Sequence, residues 1–418
     1  MARRDLPDGP IDAVVDGFTH GGEGVARVQG KAVFVPGTIP GETVRLRIVD
    51  DRKRWARGEL LEVVEPSPDR VEPPCPFVPD CGGCDLQHVT PGAQRRLKTR
   101  VVREQLERLG GLEDPPVRDC QPVGPDRGYR NHAQLHADPD GRLGFHRAGS
   151  HEVVPIDRCL VLTEAVQTLR DTVGDGTGAT EVTLRAHETT GTAAVELTPG
   201  PGPLELPEGD FDLALTQPDG TVARIRGDGI LTEEVAGHRF DLDITAFFQV
   251  TTQGAAALVA AVLEAAGEID GAVVWDLYAG VGLLSLPLAA AGAQVVAVEG
   301  HRLAAEQAAA NAQTNGRTLQ VVASHVADVT GDAAAGTSSL PLPDVVVLDP
   351  PRSGAGREVI EGLVTIAPAA IVYVACDVAA LARDARTLTE HGYRLTDTRP
   401  LDLFPMTHHV EVVATFAR

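Results

Sequence analysis

The sequence predicts a multidomain α/β protein: a small amino-terminal β-barrel, a strand-rich central region with a cysteine cluster, and a carboxy-terminal doubly wound parallel sheet. Three observations carry this. The chain has 418 residues, two to three times the usual domain size. Short apolar runs alternate with glycine and proline turns up to residue 66. From about residue 255 helix and strand patterns alternate, which is the signature of βαβ units in a parallel sheet. These shifts place the domain boundaries at 1–66, 67–240 and 241–418.

In chain order, IDAVVDGF, GVARV, KAVFVPG, ETVRLRIVDD and WARGELLEVVEP read as five strands. Their alternation and turns fit a small closed barrel. With basic loops such a barrel suits single-stranded RNA, although the same scaffold serves other purposes. The hinge EPSPDRVEPPCPFVPDCGGCDLQH holds three of the six cysteines. Gln94 to Leu109 reads as an amphipathic helix, ended by Gly110-Gly111 and expected to pack on the catalytic domain. Residues 120–240 read as strands, with turns at DPDG (138–141) and QPDG (217–220). TVGDGTGAT (172–180) is expected to be a mobile loop. Beyond it, AAALVAAVLEAAG and LLSLPLAAAG read as helices. AVVWDLYAG, AQVVAVEG, DVVVLDPPR and AIVYVACD are short apolar runs ending in polar residues, as strands buried on both faces do.

Hydrophobic content of 43% with 23% charged residues excludes a disordered or fibrous chain. No apolar run approaches the ~20 residues of a membrane span. MARRDLPDGP has two arginines with no apolar stretch behind them, so it is not expected to be a secretory signal. A cytoplasmic monomer without a membrane partner is the expectation. The net charge of −22 is unevenly spread: residues 1–150 hold 22 basic against 23 acidic side chains, and residues 151–418 hold 15 against 36. Two basic bunches lie in the first part, Arg52, Lys53, Arg54 and Arg57, then Arg95, Arg96, Lys98, Arg100 and Arg103. A polyanion would bind there first, whereas solvated arginines on strand and helix faces are the plainer reading.

The strand at 272–277 runs into DLYAGVG and then into a helix, and a second strand ends at Glu299. A glycine turn lets a ligand approach the backbone, and an acid ending the next strand suits a ribose hydroxyl pair. Nicotinamide, flavin and S-adenosylmethionine cofactors share this geometry. Two details favour S-adenosylmethionine: Ser285 stands where the third glycine of a dinucleotide fingerprint would fall, and the turn begins with Asp276. A glycine turn without this cofactor is the alternative.

Cys376 ends the strand in YVACDVAALARD, at the edge where open α/β sheets bind ligands. A helix starting just after it would lower the thiol pKa. Alone, a free cysteine is more often core. Asp349-Pro350-Pro351-Arg352 ends the preceding strand, and Glu411 lies in the late strand HHVEVVATF. A thiolate, a cofactor turn and a nearby carboxylate suit chemistry on a carbon that is not itself nucleophilic. Uracil C5 is such a carbon: Cys376 would attack C6, C5 would take the methyl, and Glu411 would remove the C5 proton.

These residues resemble the RNA uracil-C5 methyltransferases, in the branch with an amino-terminal TRAM domain and an iron–sulfur cluster. GFTHGGEGVARVQGKAVFVPGTIPGETV is similar to TRAM, and CPFVPDCGGCDLQH with Gln94 and Lys98 to the cluster segment. FFQVTTQGA, DLYAGVG, VVAVEG, LDPPRSG, YVACDVAALARD and FPMTHHVEVV resemble the catalytic motifs, in the family's order. The resemblance spans almost the whole chain and implies an OB-like barrel and a Rossmann-like methyltransferase domain. It implies that Gln249, Tyr278, Leu283, Glu299, Asp328 and Asp349 line the cofactor and base pocket, Leu283 standing where the family often has asparagine. Cys376 would be the nucleophile and Glu411 the base. Asp377-Val378 departs from the family's usual Asn-Pro. The implied partner is RNA, 23S ribosomal RNA first and transfer RNA as the alternative.

Cys75, Cys81 and Cys84 have C-x5-C-x2-C spacing and need a fourth soft ligand, for which the resemblance offers Cys159. Four thiolates hold iron–sulfur or zinc alike; the resemblance implies [4Fe-4S], with zinc as the alternative. Disulfides are disfavoured in a reducing compartment. Cys120 is expected to be a buried spectator. Methyl transfer needs no electron, so the cluster would fold the central domain or shape RNA contacts. Two other functions stay open. A cytosine C5 enzyme would usually show Pro-Cys where this chain has Ala375-Cys376. An RNA-binding or folding factor that has lost catalysis sits poorly with intact Cys376, Glu411 and Asp349.

Overall fold

The computed structural model describes Leu6 and residues 9–418, so most of the opening segment MARRDLPDGP lies outside the described residues. Strands β1 (Ile11–Phe18), β2 (Gly24–Val28), β3 (Lys31–Val35), β4 (Thr43–Asp51) and β5 (Trp55–Glu65) close into a barrel of order β1-β2-β3-β5-β4. Alternate residues turn inward, and Val15, Ala26, Val33, Val35, Val44, Leu46 and Ala56 fill the interior. Glu42, fully buried, ties the barrel to the hinge: it accepts from Arg70 and from the amides of Ile39 and Ser67.

The helix α1 (Pro91–Arg108) starts three residues before the sequence reading placed it, because proline suits the first helical turn. Its Val102 and Leu106 enter the core of the carboxy-terminal sheet. Strand β6 (Gln121–Pro122) then joins the far edge of that same sheet.

The central sheet contains β7 (His132–Ala137), β8 (Leu143–His146), β9 (Val153–Pro155), β10 (Ala179–His187), β11 (Thr192–Pro199), β12 (Asp212–Thr216) and β13 (Val222–Arg226), in the order β13-β12-β11-β10-β7-β8-β9. Helix α2 (Glu164–Val173) covers it through Val166, Leu169 and Val173. Gly141 and Gly220 close the DPDG and QPDG turns with φ of 81° and 83°. The 172–180 segment is pinned rather than mobile. Gly176 donates to the Gly141 carbonyl at 2.9 Å, and Asp175 accepts from Leu143 N and Arg170 at 3.0 and 2.8 Å. A hairpin, β14 (Ile230–Val235) and β15 (His238–Asp243), packs Val235, Phe240 and Leu242 against Phe248 and Leu286.

The last unit runs α3 (Thr252–Ala266), β16 (Val273–Leu277), α4 (Ser285–Ala290), β17 (Gln294–Glu299), α5 (Arg302–Thr314), β18 (Gln320–Ala323), α6 (Val326–Ala334), β19 (Val345–Leu348), α7 (Arg357–Ile366), β20 (Ala370–Ala375), α8 (Val378–Glu390), β21 (Arg394–Asp402) and β22 (Glu411–Ala417). Its sheet has the order β18-β17-β16-β19-β20-β22-β21-β6. Strands β16 to β20 are parallel, while β22 runs antiparallel to both its neighbours. Trp275, Leu277, Leu348 and Tyr373 face α1, α6, α7 and α8; Val274, Val347, Val372 and Val374 face α3 and α4. The chain winds outward from β16 to β18, then returns to β19 on the other side of β16. That reversal is a topological switch point, where open α/β sheets bind ligands at the carboxyl ends of their strands.

Candidate active site

Three parallel strands stop at this edge, and the next residue of each is polar: Tyr278 after β16, Asp349 after β19 and Cys376 after β20. Because β22 is antiparallel, its first residue, Glu411, stands at the same edge; Val412 is registered with Ala375. The fold thus brings Cys376, Asp349 and Glu411 together from positions far apart in the chain.

Beside them is a cavity of about 370 Å³ whose wall includes Gln249, Tyr278, Leu283, Glu299 and Asp349. Asp328 is not part of that wall. It lies exposed in the first turn of α6, just past the end of β18 and so at the same edge of the sheet. The turn itself carries the strain: Tyr278 has φ of 64°, and nothing lies within 4 Å of where a Cβ on Gly280 would be. Glu299 accepts from Gly280 N at 2.8 Å and His301 N at 2.6 Å. Asp276, absent from the expected pocket residues, also lines the cavity. It accepts from Ser285 Oγ through Oδ2, while its buried Oδ1 has no partner. Burial pushes Asp276 up to about 7, with Asp349 and Glu299 adding to the shift.

Among the described residues, three carboxylates and no lysine or arginine line this cavity. Such a wall repels the diphosphate of a dinucleotide and suits a ligand carrying ammonium and sulfonium charges. The residues present therefore fit S-adenosylmethionine better than nicotinamide or flavin cofactors.

The thiol does not behave as its helix-terminal position suggests. Burial pushes Cys376 up to about 11; Glu411 and Asp349 reinforce this and Arg352 opposes it. The amino terminus of α8 is already engaged by Asp377, whose Oδ1 accepts from Ala380 N at 2.7 Å. Burial also raises Glu411 well above the usual carboxylate range, with Asp349 adding to it, and raises Asp349 to about 6. Arg352, to which the sequence assigns no role, is a cation acting on both Cys376 and Glu411.

The loop before Glu411 is held from α1. Gln94 Nε2 donates to the carbonyls of Leu86 and Val89, and its Oε1 accepts from Met406 N at 2.9 Å. Lys98 donates to Asp402 and to the Phe404 carbonyl, with both charged residues almost fully buried. Behind Asp349, Asp384 accepts from Tyr373 Oη at 2.7 Å and Ala355 N at 2.9 Å, fixing the loop that holds Arg352.

A second cavity, about 210 Å³, is lined by Cys75, Cys81, Cys84 and Cys159 together. All are free thiols and only partly exposed. Burial pushes Cys84 up to about 12, and each of the other three raises it further. Four soft donors crowded out of water form thiolates only against a compensating cation, so this donor set fits a thiolate-bound metal. Among the described residues no set of three or more His, Cys, Asp or Glu is drawn closely around a point that could hold one metal ion. Cys120 is buried apart from them, its amide donating to Thr99 Oγ1 at 2.8 Å. No described helix is long and apolar enough to cross a membrane.

Comparison with known proteins bears on these features. Residues 11–61 match the TRAM domain model, and residues 232–418 match the model of the tRNA (Uracil-5-)-methyltransferase family. An uncharacterized RNA methyltransferase of Streptomyces coelicolor is 38% identical, over 94% of this chain and 90% of the relative. One of Gloeobacter violaceus is 35% identical, over 98% and 96%. The crystal structure of Pyrococcus abyssi tRNA (uracil-54, C5)-methyltransferase in complex with S-adenosyl-L-homocysteine is 25% identical, with a TM-score of 0.77 over 97% of this chain and all of that one. The chain belongs to the TRAM-containing RNA (uracil-5-)-methyltransferase family, as its motifs implied.

Proposed function

We propose that this family member methylates C5 of a uridine in structured RNA through a covalent bond between Cys376 and C6. What carries the reading is the convergence of Cys376, Asp349 and Glu411 beside an acidic cavity with a strained glycine turn. Gln249, Tyr278, Leu283, Glu299 and Asp349 would hold the cofactor and the base, with Asp328, just past the end of β18 at the same edge, as the sixth residue of that set. S-Adenosylmethionine, when bound there, supplies a methyl group on a cationic sulfonium.

The thiol is protonated in the free protein, so it must lose its proton as it attacks; Asp349, whose field it feels, takes that proton and leaves Glu411 free for the later step. The Sγ–C6 bond forms and the ring electron pair moves to C5. C5 takes the methyl as the sulfur–methyl bond breaks. Glu411, whose proton affinity burial has raised, then takes the C5 proton. The Sγ–C6 bond breaks, the C5–C6 double bond returns and the thiolate leaves. A half-buried thiol reaches only a base outside a helix, so the target is single-stranded or flipped.

Cys75, Cys81, Cys84 and Cys159 hold a [4Fe-4S] cluster in this reading, with a structural role and no electron transfer. Four thiolates hold iron–sulfur or zinc alike, and the resemblance to the cluster-bearing branch is what favours the cluster. Anaerobic purification with iron, sulfide and zinc analysis decides; colourless protein with stoichiometric zinc sinks the cluster.

Ribosomal RNA is the substrate class the four-cysteine set favours. Transfer RNA is the second reading, favoured by the likeness to the Pyrococcus enzyme. Mapping 5-methyluridine in total RNA of a deletion strain separates them. The chemistry itself is tested with 5-fluorouridine-containing RNA and cofactor: a stable protein–RNA adduct is expected, and RNA that binds without forming one removes the covalent mechanism.

A further inference from the structure

The turn between β1 and β2 leaves the barrel and reaches the nucleophile. It is a tight turn: Thr19 N donates to the Glu23 carbonyl at 2.8 Å, and Gly22 N to the Thr19 carbonyl at 3.1 Å. At its tip, His20 Nε2 lies 3.2 Å from Asp377 Oδ2, on the residue that follows Cys376. The His20 ring also stands edge-on to His408, three residues before Glu411, with centroids 6.5 Å apart. His408 N donates to Asp85 Oδ1 at 2.8 Å, so the same turn meets the segment just past Cys84. Gly22 has φ of 79°, and a Cβ there would stand 2.9 Å from His408 Cβ and 3.0 Å from Asp85 Oδ2. The turn is therefore packed down onto both catalytic segments.

A contact built for stability alone would be poorly sited here. The two side chains are 33% and 29% exposed, and an ion pair that wet contributes little to folding. Its geometric effect is larger. Asp377 uses Oδ1 to cap α8 and Oδ2 to meet His20, so the carboxylate bridges the barrel to the helix whose first turn orients the Cys376 peptide. We propose that His20 is a positioning residue for the reaction: through Asp377 it holds the Cys376 peptide in its attacking position, so that the barrel forms part of the active site. This rests on the covalent mechanism proposed above.

The test uses the full-length protein with three variants, His20→Ala, His20→Gln and Asp377→Asn. Gln places an amide nitrogen near the position of Nε2 and keeps the bond. Two rates are read: alkylation of Cys376 by iodoacetamide without RNA, and adduct formation with saturating 5-fluorouridine-containing RNA and cofactor. His20→Ala is expected to slow adduct formation about tenfold, since small misplacements of a reacting group cost that much or more. It should speed alkylation about threefold, because a freed loop exposes a half-buried thiol. RNA affinity should stay within about twofold, since His20 acts on the thiol rather than on phosphates. His20→Gln should restore both rates, and Asp377→Asn should move both in the direction of His20→Ala. The proposal is overturned if His20→Ala matches wild type in both rates, if its defect lies in RNA affinity alone, or if Gln is as impaired as Ala. Wild type that forms no adduct, while His20→Ala still speeds alkylation, would remove the covalent reading and leave the positioning contact standing.

Discussion

At the residue scale, burial sets the chemistry of this edge, and pH exposes it. Cys376, pushed up to about 11, is nearly all thiol at neutral pH. Its alkylation in the free protein should therefore rise roughly tenfold per pH unit between 7 and 10. Arg352→Gln should lower that rate at every pH in the range, because it removes a cation favouring the thiolate. A rate flat above pH 7 would show a thiol already ionised. Glu411→Gln separates the two halves of the reaction: attack and methylation survive, but the C5 proton stays. Ordinary uridine RNA should then accumulate as a denaturation-resistant adduct, which Cys376→Ala cannot form. Asp276 tests burial by stability. Its pKa is raised from about 4 unfolded to about 7 folded, so the folded protein binds the extra proton between those values. Its stabilising effect is whole below about pH 4 and is lost as pH rises through 7. Asp276→Asn keeps an oxygen for Ser285 and never charges. It should raise the melting temperature by a few degrees at pH 8, a gain that shrinks toward pH 5; an equal change at both pH values would refute the shift.

At the scale of elements, the catalytic loops are held by partners far away in sequence. Lys98 on α1 and Asp402 at the end of β21 are 2% and 1% exposed and bonded to each other. Removing Lys98 leaves buried Asp402 with the longer 3.8 Å contact to Arg95, so the cost is at most the about 3–5 kcal/mol of a fully stranded charge. Lys98→Met should lower the urea midpoint accordingly, and adding Asp402→Asn should recover part of the deficit. An unchanged midpoint in the single variant would show that water reaches Asp402. The same distance explains what the sequence made legible. Strands β16, β17, β19 and β20 were readable because a strand buried on both faces is an unbroken apolar run, and the turn at Gly280 because glycine marks it. The residues before and after those runs, Asp349, Cys376 and Glu299, followed directly. His20 with Asp377, Gln94 with Met406 and Asp384 with the loop at Ala355 were not readable as contacts. Each joins side chains whose proximity depends on how finished elements pack, and nothing local announces it.

For the whole molecule, the question is how an acidic protein grips RNA. The basic bunches of the first 110 residues are largely spent on internal partners: Arg52 on Asp50, Arg57 on Glu23, Arg96 on Asp69, Arg100 on Glu104 and Lys98 on Asp402. Binding phosphate there would mean breaking an existing pair, so those arginines add little to counterion release. Among the described residues Lys53 and Arg54, in the turn between β4 and β5, are exposed and have no acidic partner. They lie on the same barrel that meets Asp377 through His20, so phosphates held at one end of the barrel are registered with the thiol at the other. If the barrel supplies the grip, Lys53→Glu with Arg54→Glu should weaken RNA binding over a salt series. The slope of log affinity against log salt should shrink by about 0.7 for each single-strand phosphate that is no longer neutralised, so by about 1.4 for the pair. Arg47→Gln is the control, because Arg47 already pairs with Glu59 and should leave the slope unchanged. Equal slopes in all three proteins would place the phosphate-binding side chains elsewhere, and would separate the barrel's part in positioning Cys376 from any part in holding RNA.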